Sequence, residues 1–184
     1  QRCTALKLIF VQKEVAEEFT KKLTEAVSAL KGGLPWEKDV KITPLPEVNK
    51  PPYLEECIAD AVSKGAKVLN ENGGYNEASF VFPAVVCPVN DQMKLYHEEQ
   101  FGPVIPVVPF ETIDEPIDYQ VNADHGMQVS IFSEDALEVS KLIDPFVNLV
   151  SRVNINCQAQ RGPDVFPFTG RKDSAEGTLS VFDA

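Results

Sequence analysis

Short apolar runs alternate with longer amphipathic segments along most of this chain, and that alternation limits the folds open to it. The apolar runs are rich in β-branched residues and predict buried strands at 5–11, 67–69, 80–89, 104–110, 128–133 and 150–157. Between them, apolar residues at helical spacing predict helices at 14–30, 53–64, 113–122 and 135–148. This order predicts an α/β fold, with a mostly parallel twisted sheet and helices on both faces. No repeat or linker interrupts residues 1–184, so we expect one domain.

The charge balance excludes several classes of partner. The chain contains 17 Lys and Arg against 28 Asp and Glu, which gives a formal net charge of −11. Nucleic acid and anionic lipid are polyanions that such a surface repels, so neither is expected as a partner. No apolar stretch reaches the ~18 residues typical of a membrane helix, so no membrane partner is expected either. A local basic pocket for a small anion stays compatible with this balance.

The cysteines and histidines indicate neither a metal site nor a disulfide framework. The four cysteines and two histidines form no Cys-x-x-Cys pair and no Cys/His spacing typical of zinc. A domain of this size builds its core without disulfides, so we expect reduced thiols and a cytoplasmic protein.

Cys3 is the candidate nucleophile. The neighbouring Arg2 guanidinium favours the thiolate, which is the reactive form of cysteine. The alternative, a small buried residue at the start of a strand, is favoured by spacing alone. Cys57 lies on an apolar helix face and Cys87 within an apolar strand, so both are expected in the core. For Cys157, at the end of a predicted strand, packing and a ligand-facing position are equally compatible with the sequence.

Arginines are concentrated at the two ends of the chain. They are Arg2, Arg152, Arg161 and Arg171. Arginine suits planar, bidentate recognition of phosphate or carboxylate, so this distribution indicates an anion site near the candidate nucleophile and the C-terminal loop. Surface arginines that fall late in the chain are the alternative. Ligands of open parallel sheets bind beyond the carboxyl ends of strands, which favours the residues after 104–110, 128–133 and 150–157.

Residues 97–103, His-Glu-Glu-Gln-Phe-Gly-Pro, combine paired carboxylates, an aromatic ring and a Gly-Pro turn ahead of a predicted strand. A carboxylate in such a loop can hold a ribose, and the ring can stack on a flat heterocycle. The alternative is a solvated acidic helix end, the usual setting of a Glu-Glu pair. Neither His97 nor His125 lies near a nucleophile in the sequence, so a Cys–His hydrolase dyad has no support.

Four segments resemble, in order, motifs of the aldehyde dehydrogenase superfamily. Residues 1–5 (QRCTA) resemble its nucleophile segment, 98–104 (EEQFGPV) its cofactor-ribose motif, and 154–156 (NIN) the strand end that faces its substrate pocket. Residues 167–174 (PFTGRKDS) are similar to its late P-F-x-G-x-K-x-S segment. The resemblance covers essentially the whole chain and implies the fold of that family's catalytic domain.

Residues 154–168 (NINCQAQRGPDVFPF) resemble in particular the non-phosphorylating, NADP-dependent glyceraldehyde-3-phosphate dehydrogenases of that superfamily. In those enzymes one arginine beside the nucleophile and one in the R-G-x-D-x-F-P-F segment hold the substrate phosphate. By resemblance these are Arg2 and Arg161. Thr169 stands where the family usually has a glycine, and Ala175 where a glycine commonly follows the serine. Both departures concern the local backbone of the loop rather than the chemistry.

The resemblance implies an oxidoreductase. The Cys3 thiolate would attack the aldehyde carbon of glyceraldehyde 3-phosphate, hydride would pass to NADP, and water would release 3-phosphoglycerate from the thioester. Glu99 would contact the cofactor ribose and Phe101 would pack nearby, with NAD as the alternative cofactor. The implied partners are a small phosphorylated aldehyde and, for the full-length enzyme, further copies of itself in a homo-oligomer.

The family's dinucleotide-binding domain, general-base glutamate and oxyanion asparagine all precede its nucleophile, and its oligomerisation strand also lies outside these residues. By resemblance, residues 1–184 are therefore the catalytic domain alone, and we expect that domain to be inactive in isolation. Two alternatives stay open. One is an aldehyde dehydrogenase for another small, unphosphorylated aldehyde, and the other is a stand-alone α/β binding module without activity.

Overall fold

The chain forms two compact units, divided in sequence between Thr112 and Ile113. Unit 1 runs up to Thr112 and unit 2 starts at Ile113. The structure, a computed structural model, describes residues 4–159, 168–175 and 178–179. One domain for the whole chain stays a prediction.

The described part of unit 1 is built on a four-stranded mixed sheet. Its elements are β1 (Ile9–Gln12), α1 (Lys13–Ser28), α2 (Lys50–Ser63), β2 (Lys67–Val68), β3 (Asn76–Glu77), β4 (Phe80–Val81), β5 (Ala84–Cys87), α3 (Lys94–His97) and β6 (Val104–Phe110). The strand order is β1-β6-β5-β2, in which β1, β6 and β5 are parallel and β2 is antiparallel to β5. β3 and β4 form a separate antiparallel pair.

Successive side chains of β5 and β6 point to opposite faces of this sheet. Apolar residues therefore lie on both faces, and helices cover both. On one face, Val85 and Val107 pack with Val27 of α1. The other face packs on α2, and its buried residues include Leu54, Cys57, Ala61, Ala84, Val86, Val104 and Val108. Full burial of a side chain such as Leu54 contributes about 2 kcal/mol. The predicted α/β fold, with a mostly parallel sheet and helices on both faces, is confirmed.

Proline explains two of the differences between unit 1 and the sequence prediction. α2 begins at Lys50, earlier than predicted, because Pro51 and Pro52 occupy its first turn, where a missing backbone N–H costs nothing. The apolar run 80–89 forms two strands, β4 and β5, rather than one. Pro83 lies between them and cannot donate to a ladder.

Unit 2 centres on a parallel pair of strands that the sequence also predicted. Its elements are α4 (Asp114–Asn122), β7 (His125–Gly126), β8 (Gln128–Ile131), α5 (Ala136–Val147), β9 (Arg152–Ile155), β10 (Phe168–Thr169), β11 (Arg171–Lys172) and β12 (Thr178–Leu179). β8 is parallel to β9, while β7 with β11 and β10 with β12 form antiparallel pairs. Asp135 caps α5 by accepting from Leu137 N at 2.8 Å. The buried core of this unit includes Ile131, Val139, Phe146 and Val150.

Two classes of feature are not found in the described ranges. No helix there is long and apolar enough to cross a bilayer. Nor do those ranges bring three or more His, Cys, Asp or Glu side chains together in a way that could hold a metal ion.

Candidate active-site segments

The residues singled out in the sequence fall into two groups. Cys3, Arg2 and Arg161, the predicted nucleophile and phosphate ligands, lie outside the described residues. Glu99 and Phe101, the predicted cofactor residues, lie in unit 1 in the connection between α3 and β6. We call this connection, residues 98–103, the EEQFGP segment.

The EEQFGP segment lies at the amino end of β6. β1 is parallel to β6, so the chain that leads from Cys3 into β1 reaches the sheet at the same edge. The EEQFGP segment thus precedes its strand, as the sequence predicts, while the expectation that ligands bind beyond the carboxyl ends of strands stays a prediction. In unit 2, residues 154–156 do lie at the carboxyl end of β9.

Gln100 anchors the EEQFGP segment to the sheet. Its side chain is fully buried. Its Nε2 donates to the carbonyl oxygens of Leu6 at 3.1 Å, Lys7 at 2.9 Å and Val104 at 3.1 Å. An amide nitrogen carries two hydrogens, so one of them is shared between two acceptors. The chains entering β1 and β6 are thus joined here by a side chain rather than by a ladder, which is why β1 begins later than predicted.

Phe101, next to Gln100, has a strained backbone. Its φ is +43°, in the left-handed region that aromatic residues seldom adopt. Lys50 Nζ lies 5.9 Å from the centroid of this half-buried ring and 5.2 Å from that of Tyr53. Tyr53 also donates to Glu98 Oε2 at 3.1 Å. Strain of this kind persists only where surrounding contacts maintain it, and here they come from Gln100 and α2.

Gly102 fixes the far end of the segment against the core. A Cβ on Gly102 would lie 2.7 Å from Cδ1 of Leu54, which is fully buried on α2. Because protein interiors are close-packed, the segment can approach the helix this closely only with glycine at 102. Glu99, directly before Gln100, is exposed. The arrangement presents a carboxylate to solvent from a rigid support.

Lys7 lies beside the acidic pair of the segment. It is half-buried, and its Nζ donates to Leu95 O at 2.6 Å. Burial lowers the pKa of Lys7 to about 8, while interactions with Cys57, Glu99 and Glu98 oppose that shift. Desolvation therefore outweighs the attraction of the nearby acidic groups.

Cys57 and Cys87 are in the core of unit 1, as predicted. Cys57 is fully buried, and that burial raises the pKa of its thiol despite a hydrogen bond with Tyr53 that acts in the opposite direction. Cys87 is half-buried against the α1 side of the core, and burial raises its pKa too. Raised pKa values keep both thiols protonated and poorly nucleophilic. Cys157, in unit 2, is exposed.

Two asparagines shape the strand end of unit 2. Asn154 is buried, and its Nδ2 donates to Gln128 Oε1 at 3.0 Å. Asn156, at φ +51°, bonds to the backbone of Ser133 through both the oxygen and the nitrogen of its side-chain amide. Its Oδ1 accepts from Ser133 N at 3.0 Å, and its Nδ2 donates to Ser133 O at 2.9 Å. An open cavity of about 380 Å³ lies between this strand end and α5.

The lysine and serine of the late PFTGRKDS segment have structural roles. Lys172 Nζ donates to three carbonyl oxygens at the carboxyl end of α4, at 2.6–2.9 Å. Ser174 Oγ accepts from Gly126 N at 2.8 Å. A Cβ on Gly170 would lie 2.6 Å from the backbone nitrogen of Ala175 and 2.7 Å from the carbonyl carbon of Ser174, so the local backbone itself requires glycine at 170.

Comparison with known proteins identifies the family. Residues 1–183 match the aldehyde dehydrogenase family. The chain belongs to this family. It is 34% identical over 181 residues to an NADP-dependent glyceraldehyde-3-phosphate dehydrogenase of Streptococcus equinus, a match that covers 98% of this chain and 37% of the relative. It is 29% identical to a 3-sulfolactaldehyde dehydrogenase of Priestia aryabhattai over 96% of this chain and 36% of that protein.

Solved aldehyde dehydrogenase structures share the fold. The NADP-dependent glyceraldehyde-3-phosphate dehydrogenase from Bacillus halodurans C-125, complexed with NADP, is similar with a TM-score of 0.90 and 34% identity. That match covers 99% of this chain and 37% of the other. The resemblance drawn from the four sequence motifs is confirmed. This aldehyde dehydrogenase chain spans little more than a third of the length of these relatives.

Sequence reasoning missed the residues that support the predicted cofactor residues: Gln100, Lys7, Lys50 and Tyr53. Only Lys7 carried a signal, since it is a lysine within an apolar run predicted to be a buried strand. Gln100 carried none, because its burial follows from a contact with a distant part of the chain.

Proposed function

We propose that the protein containing this chain oxidises glyceraldehyde 3-phosphate to 3-phosphoglycerate with NADP. The observation that supports this most is the EEQFGP segment. It holds an exposed carboxylate and an aromatic ring on a rigid support, at the sheet edge that the chain from Cys3 reaches. Membership of the aldehyde dehydrogenase family and the NADP-dependent relatives at 34% identity point the same way.

Glu99 and Phe101 fit a nicotinamide dinucleotide. The exposed Glu99 carboxylate can accept hydrogen bonds from ribose hydroxyls, and the Phe101 ring offers apolar surface beside them. When bound, NADP supplies the hydride acceptor of the oxidation. The choice of NADP over NAD rests on the names of the relatives.

Cys3 carries the covalent chemistry in this proposal. Its thiolate attacks the aldehyde carbon, which forms a C–S bond and moves the carbonyl electron pair onto oxygen. The backbone N–H of Cys3 stabilises that oxyanion. Loss of hydride from the carbon leaves a thioester on Cys3. Water then attacks the thioester carbon and gives up one proton to solvent, the C–S bond breaks, and the acid and the Cys3 thiolate are released.

Arg2 and Arg161 hold the substrate phosphate in this proposal. Charge-assisted hydrogen bonds of this kind contribute about 1.5–3 kcal/mol each, and they convert remote binding energy into orientation at the carbonyl. A homo-oligomer in the cytoplasm is the expected state of the complete protein, and light scattering would measure the oligomer.

The test uses the complete natural protein with three substrates: glyceraldehyde 3-phosphate, 3-sulfolactaldehyde and propanal. We expect NADP reduction with a kcat/KM for the phosphorylated aldehyde at least about tenfold above the other two. Cys3→Ser should abolish turnover, while the matched Cys157→Ser should keep it. Turnover that survives Cys3→Ser would contradict the mechanism, and a preference for propanal would contradict the substrate.

The relative named for 3-sulfolactaldehyde favours a second candidate substrate. A pair of arginines can bind a sulfonate as well as a phosphate, because both present oxyanions to a guanidinium. A kcat/KM that is higher for 3-sulfolactaldehyde in the same assay would establish this second candidate instead of the first.

A further inference from the structure

We propose that Gln100 is a positioning residue, which sets where Glu99 and Phe101 lie relative to the chain that follows the nucleophile. The inference rests on the cofactor role proposed above for those two residues. Its grounds are the contacts of the Gln100 amide, its burial and the backbone of its neighbour.

The Gln100 amide replaces a stretch of β-ladder. β1 and β6 pair in parallel with Ile9 opposite Val107, and the same register continued toward their amino ends would place Lys7 opposite Ile105. There the two chains are joined instead by one Gln100 nitrogen, bonded to carbonyl oxygens of both. The length of this side chain therefore sets the separation of the two chains at the edge where the predicted site residues lie.

The surroundings of Gln100 require a hydrogen-bond donor. Three carbonyl oxygens surround Nε2, and the buried Oε1 has no hydrogen-bond partner among the described residues. A carboxylate of the same shape would direct an oxygen at three other oxygens, which is repulsive. A methionine would fill the volume but leave the carbonyls without this donor.

The contacts of Gln100 constrain the backbone of the residues on either side of it. Glu99 precedes Gln100 and Phe101 follows it, at φ +43°. An aromatic residue leaves that conformation readily once its neighbour is no longer held. Relaxation of the Phe101 backbone would turn both its ring and the Glu99 carboxylate away from their present positions, while the rest of the sheet could stay folded.

The experiment compares Gln100→Met with Gln92→Met in the complete natural protein. Gln92 is an exposed glutamine of the same unit and serves as the matched control. We measure the Kd for NADP by titration, together with the KM for the aldehyde, at a temperature where circular dichroism shows each protein folded. We expect Gln100→Met to raise the Kd for NADP about tenfold, or about 1.4 kcal/mol, with the aldehyde KM changed less than about twofold. Gln92→Met should change neither.

A double-mutant cycle with Glu99→Ala separates positioning from general destabilisation. Because Gln100 positions Phe101 as well as Glu99, Gln100→Met should still raise the Kd for NADP once Glu99→Ala is present, but clearly less than the about tenfold expected in wild type. An equal effect in both backgrounds, or none in the wild-type background, would overturn the inference while the proposed cofactor site stands. A Glu99→Ala variant that binds NADP as tightly as wild type would overturn both.

If Gln100→Met fails to fold, Gln100→Asn replaces it in the same cycle. Asparagine keeps the amide donor on a side chain one methylene shorter, so the chains must shift for the contacts to form. A raised Kd for NADP in this folded variant supports the inference, and an unchanged Kd overturns it.

Discussion

Raising the pH from 7 to 9 should stabilise the folded protein through Lys7. Burial lowers its pKa in the folded state to about 8, whereas a lysine in an unfolded chain has a pKa of about 10.4. Below pH 8 the folded state holds a costly half-buried ammonium. Between these two pKa values the folded lysine has lost its proton and the unfolded one has not, so the free energy of unfolding rises with pH. The difference between the folded and unfolded pKa values corresponds to about 3 kcal/mol of unfolding free energy. The rise from pH 7 to 9 contributes about 1 kcal/mol of this.

Urea unfolding of wild type, Lys7→Met and Lys67→Met at the two pH values measures this effect. Lys67 is an exposed lysine of β2 and provides the control. Relative to Lys7→Met, wild type should gain about 1 kcal/mol of unfolding free energy between pH 7 and 9. Relative to Lys67→Met, it should gain almost nothing. A difference between wild type and Lys7→Met that is the same at both pH values would refute the argument from burial.

Three further predictions concern the proposed site and its support. Arg161→Ala should raise the KM for glyceraldehyde 3-phosphate roughly 10–100-fold and barely change the KM for propanal, and equal losses for both would refute the phosphate role. Limiting iodoacetamide should alkylate Cys3 first and Cys57 last, because Cys57 is buried with a raised thiol pKa, and peptide mapping that finds Cys57 first would refute this order. Gly102→Ala should lower the free energy of unfolding by about 1–3 kcal/mol, since its new methyl group meets the buried side chain of Leu54. An unchanged melting temperature would show that the EEQFGP segment shifts to accommodate the methyl group.

The fold of unit 1 could be predicted because its signals are local. Helical spacing in residues 14–30 and the apolar runs of β5 and β6 each report which side chains must be buried, and burial determines where helices and strands lie. The exact ends of elements depend on contacts made elsewhere. β1 begins at Ile9 rather than at residue 5 because Gln100 takes the carbonyl oxygens of the preceding residues.

Only the motif residues of the candidate site could be predicted from the sequence. The acidic pair and the aromatic ring of the EEQFGP segment are visible in the sequence. What holds them is not, since Leu6 and Gln100 are 94 residues apart in the chain. The strained φ of Phe101 has no sequence signal either, because aromatic residues rarely adopt it and only the surrounding contacts maintain it.

Mass spectrometry of the acyl-enzyme shows whether Cys3 carries the covalent intermediate. The complete protein is mixed with glyceraldehyde 3-phosphate and NADP, quenched in acid within the first turnover and digested with trypsin, which cleaves after Arg2 and Lys7. We expect a 3-phosphoglyceroyl group on the released peptide Cys3–Lys7, present only when both aldehyde and NADP are added. An acyl group on a different cysteine, or turnover by Cys3→Ser at the wild-type rate, would contradict this expectation.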